Sequence, residues 1–118
     1  MSYRLFLDDE RFPRQVTWVL LPTNFDPDWV IVRTYDQFVE HITKNGLPEF
    51  IAFDHDLGLL PDGTEDRSTD VLKWLDTAGY VEAFPPPKYA VHSDNPEGAK
   101  SIHAFMQSWA KFWRVYKR

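Results

Sequence analysis

Three short apolar runs, each stopping at polar and chemically active residues, constrain this chain most. Leu5-Phe6-Leu7 runs into Asp8-Asp9, Phe50-Ile51-Ala52-Phe53 into Asp54-His55-Asp56, and Tyr89-Ala90-Val91 into His92-Ser93. A wholly apolar run bounded by polar residues reads as a strand buried on both faces. Trp29-Val30-Ile31-Val32 is a fourth such run. Helical patterns separate them. Thr34-Tyr35-Asp36-Gln37 opens a helix in capping-box style, Phe38, Val39 and Ile42 continue its apolar face, and Lys44-Asn45-Gly46 ends it. Val71, Leu72, Leu75 and Ala78 mark a second helix closed by Gly79. Asn95 and Pro96 suit the cap and first residue of a long last helix, with Ile102, Met106, Trp109 and Trp113 as its core stripe and Phe105 and Ala110 beside them.

Strands alternating with helices imply parallel strands joined by crossovers, hence one α/β domain over residues 1–118. The expected architecture is three-layered and doubly wound, with a mainly parallel sheet of about four core strands. Right-handed crossovers put the strand C-ends on one edge, where ligands bind in open α/β sheets. Residues 10–28, cut by Pro13, Pro22 and Pro27, read as mostly loop, with Val16–Leu21 a candidate extra strand. Leu59–Ser68 reads as a polar loop or lid, and Val115–Tyr116 as candidate extended residues.

Composition removes several classes of function. Without cysteine there is no disulfide frame, thiolate zinc site or cysteine nucleophile. No apolar run approaches the roughly 7–15 residues of a signal-peptide core or the about 20 of a membrane span, so a cytoplasmic protein with no membrane contact is expected. A 43% apolar fraction with 5 Trp, 5 Tyr and 9 Phe supports a packed core. The net charge of −5 argues against binding along an extended nucleic-acid backbone. That excess is local. Setting aside Asp8, Asp9, Glu10, Asp54 and Asp56 leaves 13 acidic against 13 basic residues.

Carboxylates converging on one sheet edge repel one another, and a hard divalent cation, Mg²⁺ or Mn²⁺, relieves this by taking oxygen ligands. Asp8, Asp9 and Asp54 are the candidate metal ligands, with Asp56 contributing by carboxylate or carbonyl. His55 and His92 are the candidate acid and base, on opposite sides of one phosphate, with Asp54 in the same catalytic group. Arg11 either clamps a phosphate or bridges to neighbouring acids. Asn95 is a helix cap, and it and Ser93 are candidate phosphate contacts. His41 and His103 fall in predicted helices and are expected to be structural or exposed.

The motifs Leu5-Phe-Leu-Asp-Asp-Glu-Arg11, Phe53-Asp-His-Asp-Leu-Gly58 and Val91-His-Ser-Asp-Asn-Pro-Glu-Gly98 together resemble the cyclic-phosphate-processing receiver-like domains, relatives of response-regulator receivers. The resemblance implies a receiver/flavodoxin-like fold and a role on the cyclic phosphate of nucleotides or RNA ends. It aligns Asp8 and Asp9 with the receiver acidic pair, Asp54 with the phosphoacceptor and Ser93 with the residue after the fourth strand. No residue fills the place of the receiver lysine after a fifth strand. The leading expectation is a metal-dependent phosphoesterase acting on a cyclic phosphate. The alternatives are a degenerate phosphoacceptor receiver and a noncatalytic module that binds a protein partner.

Overall fold

The computed structural model describes residues 2–59 and 62–116. In chain order the elements are β1 (Arg4–Leu7), β2 (Val30–Val32), α1 (Tyr35–Asn45), β3 (Phe50–Phe53), β4 (Asp56–Leu59), β5 (Glu65–Arg67), α2 (Ser68–Thr77), α3 (Tyr80–Ala83), β6 (Lys88–Val91) and α4 (Pro96–Tyr116). Single 3₁₀ turns at Pro13–Gln15 and Asp26–Asp28 interrupt the connection from β1 to β2.

Four strands form one parallel sheet in the order β2-β1-β3-β6. This is the receiver/flavodoxin-like α/β arrangement, with the chain stepping first to one side of β1 and then to the other. Right-handed crossovers in opposite directions cover opposite faces. The helices take one face, against Leu5, Leu7, Ile51 and Phe53, where Phe38, Leu75, Ile102, Met106 and Trp109 are buried. The β1–β2 connection covers the other face, burying Val16 and Leu21 against Phe6, Ala52, Ala90 and Trp29. The second outer layer is therefore an irregular segment held by side chains. Asn24 Nδ2 donates to the carbonyls of Pro13 and Val16, both at 2.9 Å, and Trp29 Nε1 to that of Thr23 at 3.1 Å. These bonds satisfy backbone oxygens that have no ladder partner.

Four local expectations need correction. Val16–Leu21 is not a strand: Val16 and Leu21 are buried while Leu20 is exposed, and its prolines and turns pin it as a loop. Residues 56–59 and 65–67 pair antiparallel as β4 and β5, Asp56 opposite Arg67. Leu57 and Asp66 face inward while Asp56, Glu65 and Arg67 face out, so two short strands were hidden in a charged, Gly-containing sequence poor in strand formers. Leu60 and Pro61 of that stretch lie outside the described residues. Val115 and Tyr116 continue α4 rather than extending, and Ala110 is exposed on it, off the core stripe. The cap expected at Thr34 is present, accepting from the Gln37 amide at 3.1 Å, but the reciprocal half of the capping box is displaced: the Gln37 side chain accepts from the Arg33 amide at 2.7 Å, not from that of Thr34. Gly79, at φ 91°, follows α2. No helix among the described residues is long and apolar enough to cross a membrane.

Candidate functional site

Register builds the site. Leu7 is level with Val32 and Phe53, and Phe53 with Val91. The ladder runs one residue further: the amides of Asp8, Asp54 and His92 donate to Val32, Leu7 and Phe53 at 3.2, 2.9 and 2.9 Å. Asp8, Asp54 and His92 thus share one row at the C-terminal edge. Side chains alternate along a strand, so this row points to the face of Phe6, Ala52 and Ala90. The His92 ring indeed stacks on Phe6, centroids 4.8 Å apart and planes at 8°.

Asp8 is fully buried and heavily hydrogen-bonded. Its Oδ1 accepts from the amides of Glu10 and Arg11, both at 2.9 Å, and its Oδ2 meets His92 Nε2 at 3.0 Å. Burial pushes its carboxyl up, but the His92 bond and the two amides outweigh that and hold it at about 2. Asp54 goes the other way. Burial and the Asp8 charge push it up to about 6, against the pull of His92, Arg11 and the His55 amide. Asp9 is also raised, by partial burial and by the charges of Asp8 and Glu10. Asp8, Asp9 and Asp54 each present a carboxylate oxygen within 4.8 Å of the other two. Three hard donors under mutual repulsion have the chemistry of a Mg²⁺ or Mn²⁺ site, and receivers bind Mg²⁺ through such acids. Asp56 stands outside this group: its exposed carboxylate holds His55 Nδ1 at 2.7 Å.

The two histidines do not flank one point. His55 is two residues past Phe53, so it takes the helix face, and its ring lies against Gly98 at the start of α4. A Cβ on Gly98 would stand 2.6 Å from the His55 Cβ and closer still to the ring. His92, one residue past Val91, is sealed under the β1–β2 connection with Nδ1 buried and unpartnered. Its Nε2 bears the hydrogen, because the Asp8 carboxylate can only accept. Expecting both rings at one phosphate overlooked this difference in strand parity.

Arg11 bridges rather than standing open: Nη2 meets Asp94 Oδ2 at 2.6 Å and Nη1 lies 3.7 Å from Asp8 Oδ2. Asn95 is the α4 cap, its Oδ1 accepting from the amides of Glu97 and Gly98 at 3.1 Å each. Those amides are thereby satisfied, leaving Asn95 Nδ2 at 3.5 Å from His55 Nδ1. Ser93 Oγ accepts from the Asn95 amide at 3.1 Å. Sequence reasoning missed three contributors, Gly98, Arg33 and Trp18. Gly98 makes room for His55, and Gly58, which the sequence marks as a turn glycine after the third strand, takes φ 82° and leaves a Cβ position only 3.3 Å from Asp9 Oδ2. Arg33 donates to the carbonyl of Asp8 at 3.1 Å and to that of Arg11. Trp18 donates from Nε1 to the His92 carbonyl at 3.1 Å. The signal for Gly98 was available: glycine in a helical turn costs about 1 kcal/mol against alanine and calls for a reason.

Comparison with curated proteins and with solved structures returned no match. A family model described as the cyclic-phosphate processing receiver domain matches residues 3–108. That span holds the whole parallel sheet, the acidic triad, both site histidines and Gly98, and by it the chain belongs to the cyclic-phosphate processing receiver domain family.

Proposed function

We propose that this chain is a metal-assisted phosphoesterase that opens the cyclic phosphate of a nucleotide or of an RNA end. The observation that carries the reading is one sheet edge where three carboxylates, with ligand atoms within 4.8 Å of one another, adjoin His55, whose backbone amide donates to Asp54 Oδ1 at 2.9 Å. Asp8, Asp9 and Asp54 would hold the cation. When bound, it would offset charge developing on a nonbridging phosphate oxygen. Arg11, close to the triad, orients the phosphate. With Nδ1 held on Asp56, His55 has Nε2 turned away from that carboxylate to take or give a proton. His92, closed off from solvent, acts through Asp8 by fixing the orientation of its carboxylate.

An assay with 2′,3′-cyclic nucleotides and Mn²⁺ tests this. Turnover should require the cation and should fall at least a hundredfold in His55→Ala, within the usual range for general acid–base catalysis, about 10²–10⁴. Full activity in both His55→Ala and Asp54→Ala would overturn it.

A regulatory receiver is the second reading. Asp54 favours it, since it closes β3 beside Asp8 and Asp9 as a phosphoacceptor does. The sheet weighs against it, because among the described residues it has four parallel strands and no fifth to carry the receiver lysine. A labile mass gain of one phosphoryl group on treatment with a small phosphodonor, lost in Asp54→Asn, would favour this second reading.

A further inference from the structure

We propose that Trp18 is the platform on which the base of a nucleoside cyclic phosphate stacks; the inference rests on the phosphoesterase reading and assigns the residue that holds the substrate's base. Trp18 is 50% exposed, whereas Trp29 and Trp109 are buried. It is exposed yet fastened. Its Nε1 is held by the His92 carbonyl at 3.1 Å, and the His92 side chain is held by Asp8 at 3.0 Å. The Arg11 guanidinium lies over the ring, 5.1 Å from its centroid, and is itself tied to Asp94. Val16 and Leu21, buried on either side of it in sequence, anchor the turn that carries it.

An aromatic ring held in place loses little freedom when a ligand stacks on it. It also stands one residue contact from the acidic triad on two routes, through Arg11 and through His92. A flat, uncharged base suits an aromatic surface beside carboxylates, which repel a second anionic group. Stacking tolerates any base, since each has a π-face. The ligand class is therefore a nucleoside carrying the cyclic phosphate, either as a mononucleotide or at a chain end.

The experiment uses the full chain and three probes: 2′,3′-cyclic AMP, base-free ribose 2,3-cyclic phosphate, and a trinucleotide ending in the cyclic phosphate. Binding is followed by the Trp18 indole N–H resonance, assigned by its absence in Trp18→Phe, and turnover by kcat/KM. The indole signal should shift with both base-bearing probes and not with the base-free one. Trp18→Ala should reduce the preference for cyclic AMP over the base-free probe about tenfold, within the range of base–aromatic stacking. Trp18→Phe should restore most of it. The ratio of kcat/KM for trinucleotide and mononucleotide identifies the source of the ligand.

Turnover of cyclic AMP with a static indole signal would overturn the platform and leave the phosphoesterase reading standing. So would equal losses on base-bearing and base-free probes, because a merely structural tryptophan affects both. A shifted indole without turnover would support the platform and overturn the phosphoesterase. No shift and no turnover would overturn both.

Discussion

The ring of His55 occupies the space that a side chain on Gly98 would need, which joins the end of β3 to the first turn of α4. Asp56 Oδ1 at 2.7 Å on Nδ1 completes the seat. One glycine thus decides where the less buried histidine of the site points.

Gly98→Ala should separate helix propensity from site geometry. Alanine favours a helix by about 1 kcal/mol over glycine. Here the Cβ would run into His55, so the ring must leave its seat. The expected outcome is a melting temperature that does not rise, a changed His55 ring signal by NMR, and at least a tenfold loss of any cyclic-phosphate turnover. An unmoved His55 resonance would contradict the account.

Asp54→Asn should stabilise the metal-free protein at pH 8. The folded carboxyl, at about 6, lies above the ordinary value of 3.8, so the folded state binds the proton more tightly. Its contribution to stability therefore falls as pH rises from 3.8 to 6 and stays low above that. The cost at pH 8 is on the order of 3 kcal/mol, from about 1.4 kcal/mol per pH unit. Saturating Mg²⁺ should raise the melting temperature of the native chain and leave that of Asp54→Asn much less changed.

Asp8 should govern the acid limb. Its folded value of about 2 lies below 3.8, so its contribution is complete above pH 3.8 and is lost as pH falls through 2. That contribution is about 2 kcal/mol. The joint contribution of these two carboxyls is therefore greatest near pH 4, and denaturant titration across pH 2–8 of the native chain against Asp8→Asn and Asp54→Asn would show it as the difference between their profiles.

His92→Phe should distinguish support from direct chemistry. Phenylalanine keeps the stack on Phe6 and removes the unpartnered Nδ1, but it leaves Asp8 with only its backbone donors. Loss of one hydrogen bond to a buried charge costs about 1.5–3 kcal/mol. The Asp8 carboxyl should titrate higher by carbon-13 NMR, and turnover should fall partially. Complete loss of turnover with Asp8 unmoved would assign His92 a direct role.

Asp66→Ala should loosen the β4–β5 pair from α1. The buried carboxylate accepts from the Tyr35 amide at 3.1 Å, at the first residue of the helix. Removing that acceptor should cost about 1–2 kcal/mol, as cap losses do. Hydrogen exchange should speed up at Tyr35 and through residues 56–59 and 65–67 while the parallel sheet keeps its protection.

The four parallel strands, the caps at Thr34 and Asn95, and the edge that collects Asp8, Asp54 and His92 were legible because their signals are local. A short apolar run ending in acids, or a cap three residues ahead of its partner amide, needs no knowledge of distant residues. The β4–β5 pair was not legible. Its strands hold Asp56, Gly58, Glu65, Asp66 and Arg67, and the inward turn of Leu57 and Asp66 gives them a face. The cover of the second sheet face was hidden as well, since Val16 and Leu21 act as isolated anchors without a period.

By itself the sequence determined which residues end the strands and that those ends gather on one edge. Tertiary structure alone decided which way each of them faces. Phe53 pairs with Val91, so His92, one residue beyond, turns into the interior, while His55, two residues beyond, turns toward α4. Side-chain direction in a strand reverses at every residue, and the register that settles it comes from pairing between segments nearly forty residues apart. For that reason two histidines that look equivalent along the chain are a buried prop for Asp8 and a ring seated on Gly98.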